Sequence, residues 1–350
     1  MKILVSALEP SSNLHLKEVL NKNKEIELMG IFSSELGDPL YDTTDVAIMG
    51  FIDAIKKYRW FTRVADEMME LAKDVEKVLL MDSSGFNLPL AKKIKAKYPH
   101  IEIIYYILPQ IWSSREYRVK DMELYCDKIL GILPFEIDYY YKKGKAKYVG
   151  HPLLDEIKYF KRDIIKNNII AFMPGSRESE IKRLLPIYKE VRNKLSHLKA
   201  IIIIPKVFSD KKIKTLYGDL SDFEISRNTQ ETLYNCEFAF ICSGTATLES
   251  ALIGTPFSLN YIASSVDYCI AKYILKIKQI GLANIMLSHY NNTILHKELI
   301  QKDVTVENLL KEYQEFNNKL FLQKSNELRT YLAYGSALNV VNYLTKESNY

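Results

Sequence analysis

At residues 169–185 the apolar run "IIAFM" breaks into Pro174-Gly175-Ser176-Arg177 and then into the charged, helix-like "ESEIKRLL". Gly175 permits a tight turn, Ser176 can cap the following helix, and Arg177 offers a planar guanidinium matched to phosphate oxygens. Glu178 and Glu180 suit the first turn of that helix. The chemistry these residues share is anion binding, with phosphate the first candidate. Taken alone, the tetrapeptide reads better as an ordinary helix cap with a surface arginine.

A second stretch, "CSGTATLESALIGTP" at 242–256, passes from a strand through Ser243-Gly244-Thr245 into a helix of small residues. Small side chains let a phosphate approach the N–H groups at a helix's positive end, an interaction of about 0.3–2 kcal/mol. Glu249, one turn beyond Thr245, can accept hydrogen bonds from ribose hydroxyls, or it is an exposed helix charge. Neither loop has the spacing of an NTPase phosphate loop or of a dinucleotide fingerprint. The ligand is then phosphorylated but is neither hydrolysed ATP nor NAD. A third stretch, "LLMDSSGFN" at 79–87, ends a strand on Asp82. It puts a carboxylate where ligands gather in parallel sheets, or simply a helix N-cap.

The elements that must carry these loops alternate along the chain. Strand-like runs "KILVSAL", "EIELMGI", "KVLLMD", "IEIIYYIL", "DKILGIL" and "AKYVG" are separated by helical segments, and the rhythm restarts with "IIAFMP", "AIIIIP", "DFEIS", "EFAFIC" and "PFSLNY". This pattern predicts an α/β chain of two Rossmann-like domains, residues 1–167 and 168–350, facing each other across a cleft. Beyond about residue 301 the chain is amphipathic and helical, which suits packing back against one or both sheets.

Composition agrees with two folded domains. The 350 residues are 47% hydrophobic and 26% charged, with a net charge of +5, which permits attraction to phosphates or anionic lipid but argues for no nucleic-acid partner. Cys126, Cys236, Cys242 and Cys269 match neither a zinc ribbon nor a redox pair and suit a reducing compartment. The N-terminus is not a signal peptide, and no stretch is long and apolar enough to span a bilayer. A cytoplasmic protein is expected.

Together, "MPGSRESEI" and "SGTATLESALIGTP" resemble the donor-side motifs of the lipid-A-disaccharide synthase family, glycosyltransferases with two Rossmann-like domains of the GT-B type. "AIMGFIDAI", "MDSSGFNLPLAKKIK", "YYILPQIWSSREYRV", "ILPFEIDYY" and "YVGHPLLD" follow the family's order at similar separations. The resemblance covers residues 3 to about 300, and the ordered series is far more specific than the architecture, which many sugar-nucleotide enzymes share.

The resemblance implies that Asp82 is the catalytic carboxylate, although the family's usual proline and second aspartate are Ser84 and Gly85 here. It gives Glu9 a supporting place near a substrate sugar, while Ser12 and Asn13 replace a usual glycine–aspartate pair. It assigns substrate binding to Ser176, Arg177, Glu180, Ser243, Gly244, Thr245, Glu249 and Asn284. His151, at the domain crossover, is expected to be structural. No Asp-x-Asp occurs in the chain, so the leaving diphosphate should rest on Arg177 and helix N-termini. The family's metal-free chemistry implies no metal and no cofactor.

The segment at 49–64 interleaves Phe51, Ile52, Ile55, Trp60 and Phe61 with lysines and arginines. It reads as an interfacial membrane helix or an amphipathic core helix, and the resemblance favours the former. Trp112, Arg115 and Arg118 are expected around the acceptor's phosphate.

The expected reaction joins UDP-2,3-diacylglucosamine to 2,3-diacylglucosamine 1-phosphate, lipid X. It forms a β(1→6) bond with inversion and releases UDP, a step of lipid A biosynthesis for lipopolysaccharide. The enzyme would sit peripherally on the inner membrane, with a homodimer left open. The rivals are a sugar-nucleotide epimerase, an N-acetylglucosaminyltransferase, and a lipid-binding module without catalysis.

Overall fold

The computed structural model describes residues 1–43, 54–112, 116–142, 144–164, 166–263 and 279–346, with side chains in the helix starting at Ala54 described from Tyr58 onward. Residues 1–156 and those from Leu332 on form one compact unit, and Ile157–Tyr331 form another.

The first unit runs β1 (Lys2–Ala7), α1 (Pro10–Lys22), β2 (Glu27–Ile31), α2 (Ala54–Leu71), β3 (Lys77–Met81), α3 (Ser84–Lys97), β4 (Glu102–Tyr106), α4 (Val119–Tyr125), β5 (Lys128–Gly131), β6 (Ala146–Tyr148) and α5 (Pro152–Glu156). Its strands pair in parallel in the order β2-β1-β3-β4-β5-β6. A parallel sheet covered on both faces needs strands apolar throughout. Accordingly, every residue of β3 (KVLLM) is buried. The strand order reverses between β1 and β3, so a crevice opens at their carboxyl ends.

The second unit runs β7 (Ile169–Met173), α6 (Glu178–Lys194), β8 (Lys199–Ile203), α7 (Asp210–Tyr217), β9 (Glu224–Ser226), α8 (Thr229–Asn235), β10 (Phe238–Cys242), α9 (Thr245–Ile253), β11 (Phe257–Tyr261), α10 (Leu282–Asn291), β12 (Glu298–Ile300), α11 (Val306–Gln314) and α12 (Asn318–Leu332). Its parallel sheet has the order β12-β11-β10-β7-β8-β9. Here the reversal lies between β7 and β10, whose exits are the Arg177 loop and the Ser243 loop. On α6, Ile181, Leu184, Leu185, Tyr188 and Val191 are buried, the spacing of a single helix face.

The last helix, α13 (Ser336–Thr345), belongs to the first unit, whereas the sequence placed everything from residue 168 in the second. Its stripe Ala337, Val340, Val341 and Leu344 is buried with Leu16 and Val19 of α1. Each end has a partner of the sign a helix dipole favours. Asp155 accepts from the N–H groups of Gly335 and Ala337, both at 2.8 Å. Lys77, buried and ion-paired with Glu102 at 3.0 Å, donates to Tyr343 O at 3.1 Å and to Lys346 O. The boundary near residue 167 also moves, to 156/157. Lys161, Asn167 and Asn168 fasten to the second unit, Lys161 through the Cys236 and Ile253 carbonyls and the two asparagines through Glu237, which accepts from their N–H groups. Among the described residues no helix is long and apolar enough to cross a membrane.

Candidate active-site loops and family membership

In the first unit, Asp82 and Ser83 end β3 with φ of +50° and +34°, a left-handed turn that costs L-residues energy and persists only where its surroundings fix it. The Asp82 N–H donates to Tyr106 O at 3.2 Å. The Asp82 carbonyl accepts from the Tyr105 hydroxyl and, at 3.0 Å, from Asn87 Nδ2. Asn87 also donates to Met81 O at 2.9 Å and accepts from the Ser6 hydroxyl at 2.6 Å. The backbone is thus tied on every side, while among the described residues nothing hydrogen-bonds the half-buried Asp82 carboxylate. Nor is Asp82 the cap of α3, because Ser83 holds that position and its side chain makes no capping bond.

Glu9 lies across from this turn at the end of β1, its carboxylate accepting from Ser83 Oγ at 3.2 Å. The backbone beneath it is stitched by Asn13, whose Nδ2 donates to Ala7 O and Glu9 O, both at 2.9 Å, and whose Oδ1 accepts from Ser33 N at 2.7 Å. Arg118 joins the same edge, donating to the Ser84 hydroxyl, with its guanidinium 5.5 Å from the centroid of the Tyr117 ring. Trp112 is half-buried edge-on to Phe135, ring centroids 5.6 Å apart.

The expected membrane-facing aromatic pair is turned partly inward. Trp60 and Phe61 are half-buried and continue a ladder from Tyr41 to Phe86, with successive centroids 5.4, 4.9 and 5.5 Å apart. Tyr58, Arg59, Thr62 and Arg63 form the exposed face instead. Phe51, Ile52, Arg115 and the side chain of Ile55 lie outside the described residues.

Among the buried groups of this unit with shifted acidities are a carboxyl and an imidazole. Burial pushes the Glu136 carboxyl up to about 8, against the pull of the Leu133 and Ile132 N–H groups it accepts from. Sequence reading passed over Glu136, because Leu133, three residues before it, lacks the side-chain oxygen of a capping box. Burial, with the charge of His15 next, pushes the His151 imidazole down to about 3.

In the second unit, Gly175 has φ +109°, and a Cβ there would fall 2.5 Å from Glu180 Oε2. Glu180 is the reason for that crowding. Its Oε2 accepts from the N–H groups of Ser176 and Arg177, each at 3.1 Å, and its Oε1 accepts from Arg177 Nη1 at 2.9 Å. Arg177, not Ser176, is the N-cap of α6. The expected Ser176 cap is thus replaced: the Ser176 and Arg177 N–H groups are held by the Glu180 carboxylate, which anchors the loop from within. What the loop still offers is the exposed Ser176 and the Arg177 guanidinium, whose side chain is 75% exposed.

The other switch-point loop is more open. Ser243 N–H donates to Asn260 O at 3.2 Å, Gly244 caps α9, and a Cβ added at Gly244 would meet nothing within 4 Å. Gly244 and Thr245 are exposed, and Glu249 is half-buried with an interaction partner of its own. An anion approaching this helix start meets open space and the positive end of the dipole.

Asn284 is buried and presents no free amide to a ligand. Its Nδ2 donates to His296 O and Glu298 Oε1, both at 2.9 Å, and its Oδ1 accepts from Leu295 N at 2.8 Å and His296 N at 3.2 Å. All four of its hydrogen-bonding capacities are used. Asn284 therefore ties α10 to the segment entering β12.

Residues 3–345 match the model of the lipid-A-disaccharide synthetase family. The chain is 48% identical to lipid-A-disaccharide synthase of Helicobacter pylori strain Shi470, covering 97% of each chain. To that of Campylobacter jejuni strain RM1221 it is 42% identical, over 98% of this chain and 99% of the relative. Among solved structures, UDP-GlcNAc 2-epimerase from Neisseria meningitidis, solved bound to UDP-GlcNAc, aligns with TM-score 0.60 at 12% identity over 99% and 100% of the two chains. The glycosyltransferase SnogD from Streptomyces nogalater aligns with TM-score 0.58 at 14% identity over 98% of each. These two share the two-domain α/β fold. The full-length identities show more, and the chain belongs to the lipid-A-disaccharide synthase family of glycosyltransferases.

Proposed function

We propose that this protein transfers the sugar of UDP-2,3-diacylglucosamine to the 6-hydroxyl of 2,3-diacylglucosamine 1-phosphate. The observation that carries the reading is Asp82, a carboxylate left without a hydrogen-bond partner among the described residues by a turn that is otherwise tied down, at the switch point of its sheet. Asp82 takes the proton of the acceptor hydroxyl as that oxygen forms its bond to the donor's anomeric carbon, a general-base contribution of about 10²–10⁴-fold. The bond from that carbon to the diphosphate breaks, and its electron pair leaves with UDP. Attack opposite the leaving group inverts the anomeric centre.

Arg177, preset by Glu180, and the open start of α9 take up the charge growing on the diphosphate. The chain contains no Asp-x-Asp, and the reaction is proposed to need no metal or cofactor. Glu9 and Arg118 flank Asp82 as acceptor contacts, and Trp112 lines the same side. The α2 segment, with Tyr58, Arg59 and Arg63 outward, supports a peripheral place on the cytoplasmic face of the inner membrane.

The test is purified protein in detergent with both acylated sugars, with product mass and released UDP measured in the presence and absence of a chelator. A tetraacylated disaccharide phosphate formed in both conditions is expected. Turnover of unacylated UDP-N-acetylglucosamine in its place would refute the substrate assignment.

A further inference from the structure

Beside the Arg177 loop, the carboxyl edge of the second sheet carries a basic cluster that the proposed reaction does not use. It is built on the exit of β8 and the start of α7. Lys206, Lys211, Lys212 and Lys214 are exposed, and among them Val207 is 88% exposed. The loop is held in shape from below. Arg227, just after β9, donates to the carbonyls of Lys206 at 3.0 Å and Phe208 at 2.9 Å. Ser209 caps α7 through Lys212 N–H, and the Lys212 ammonium lies 3.9 Å from the centroid of the buried Phe208 ring. The ion pairs on this side join Arg227 with Asp210 and Lys182 with Glu178, and among the described residues Lys206, Lys211, Lys212 and Lys214 have no carboxylate at ion-pair distance.

The acids on this side, Asp210 and Glu178, are the two already paired with Arg227 and Lys182, and the other acids of the region lie at the other end. Asp219 and Asp222 follow α7, and Glu224 opens β9, where it pairs with Lys199 at the start of β8 at 2.7 Å. Because β8 and β9 are parallel, that pair marks the amino edge of the sheet. The carboxyl edge is thus positive around a single protruding aliphatic side chain. Ammonium groups in that arrangement suit lipid phosphates, while the valine enters the headgroup boundary.

We propose that this edge of the second unit docks on an anionic phospholipid surface. The proposal rests on the reading that both substrates are lipids, which is what brings the protein to such a surface.

Sedimentation of the full chain with vesicles tests it, using phosphatidylcholine alone or mixed with phosphatidylglycerol. Replacing Lys206, Lys211 and Lys212 together by Gln should weaken binding to the anionic vesicles about a hundredfold, roughly fivefold for each lysine at about 1 kcal/mol apiece. Binding to phosphatidylcholine alone should hardly change. Val207→Asp should weaken anionic binding as well, and both variants should keep wild-type turnover in detergent micelles. Unchanged binding of the triple variant to anionic vesicles would overturn the docking. So would a raised KM for the donor in micelles, which would give the lysines to the substrate's diphosphate instead. Wild-type turnover in micelles tests the substrate reading separately, and its absence would sink that reading while the vesicle comparison still decides the docking.

Discussion

Arg177 and Glu180 hold each other at two points: the Glu180 carboxylate accepts the Arg177 backbone N–H at 3.1 Å and its guanidinium at 2.9 Å. The arginine proposed to meet the diphosphate is therefore positioned before any substrate arrives, which would spare reorganisation when charge develops on the leaving group. The carboxylate that achieves this is buried beneath the loop, and Gly175 leaves the space it fills.

Removing the anchor should loosen the loop without touching the general base. Glu180→Ala should lower kcat/KM for the donor about tenfold to hundredfold, the worth of about 1.5–3 kcal/mol in hydrogen bonds to a charged group. Glu180→Gln keeps one acceptor oxygen and should recover part of the loss. Steady-state kinetics with varied donor concentration would measure both. Equal kinetics for wild type and Glu180→Ala would remove the positioning role.

Asn284 should prove a stability residue. Asn284→Ala leaves the buried N–H groups of Leu295 and His296 without their acceptor, at about 1–3 kcal/mol for each unsatisfied group. Denaturant unfolding without substrate should show a loss of about 2–5 kcal/mol. Unchanged stability with lost donor affinity would return Asn284 to the ligand.

His151 gives a pH prediction with a definite sign. Its imidazole protonates near 6.5 when unfolded but only near about 3 in the fold. Between those values the unfolded chain binds the extra proton, so stability falls as pH falls, by up to about 1.4 kcal/mol per pH unit. Glu136 acts oppositely: raised from 4.5 to about 8, it makes stability fall as pH rises between those values. From about 4.5 down to about 3 the opposing Glu136 effect is gone, while His296, lowered to about 4, and the depressed Glu178 and Asp219 carboxyls act in the same direction as His151, so the His151 share is read as the difference between variant and wild type. In that window His151→Gln should show a shallower dependence of unfolding free energy on pH than wild type. Parallel curves would contradict the neutral, buried histidine.

Much of this was legible in the sequence because strand exits announce themselves. Apolar runs ending in Asp82, in Pro174-Gly175 and in Ser243-Gly244 mark carboxyl edges, and parallel sheets put ligands there. Less legible was the direction in which a polar side chain points. Glu180 reads as a first-turn acid whether it faces solvent or the loop, and Asn284 reads as a loop amide until its four hydrogen bonds to Leu295, His296 and Glu298 are seen. The stripe "ALNVVNYL" announces a buried face on α13 but not which sheet receives it. That choice depends on Asp155 and Lys77, some 180 and 266 residues away. Trp60 and Phe61 fit a membrane face and a core face equally by spacing, and only Phe86 and Tyr41 as neighbours show how far they turn inward.

The most direct measurement is turnover of purified Asp82→Asn with both acylated substrates. The turn at Asp82 is held through its backbone by Tyr105, Tyr106 and Asn87, so the variant should melt with the wild type and bind donor as well. Its rate should fall about 10²–10⁴-fold. A folded Asp82→Asn enzyme turning over at the wild-type rate would contradict the assignment of the general base.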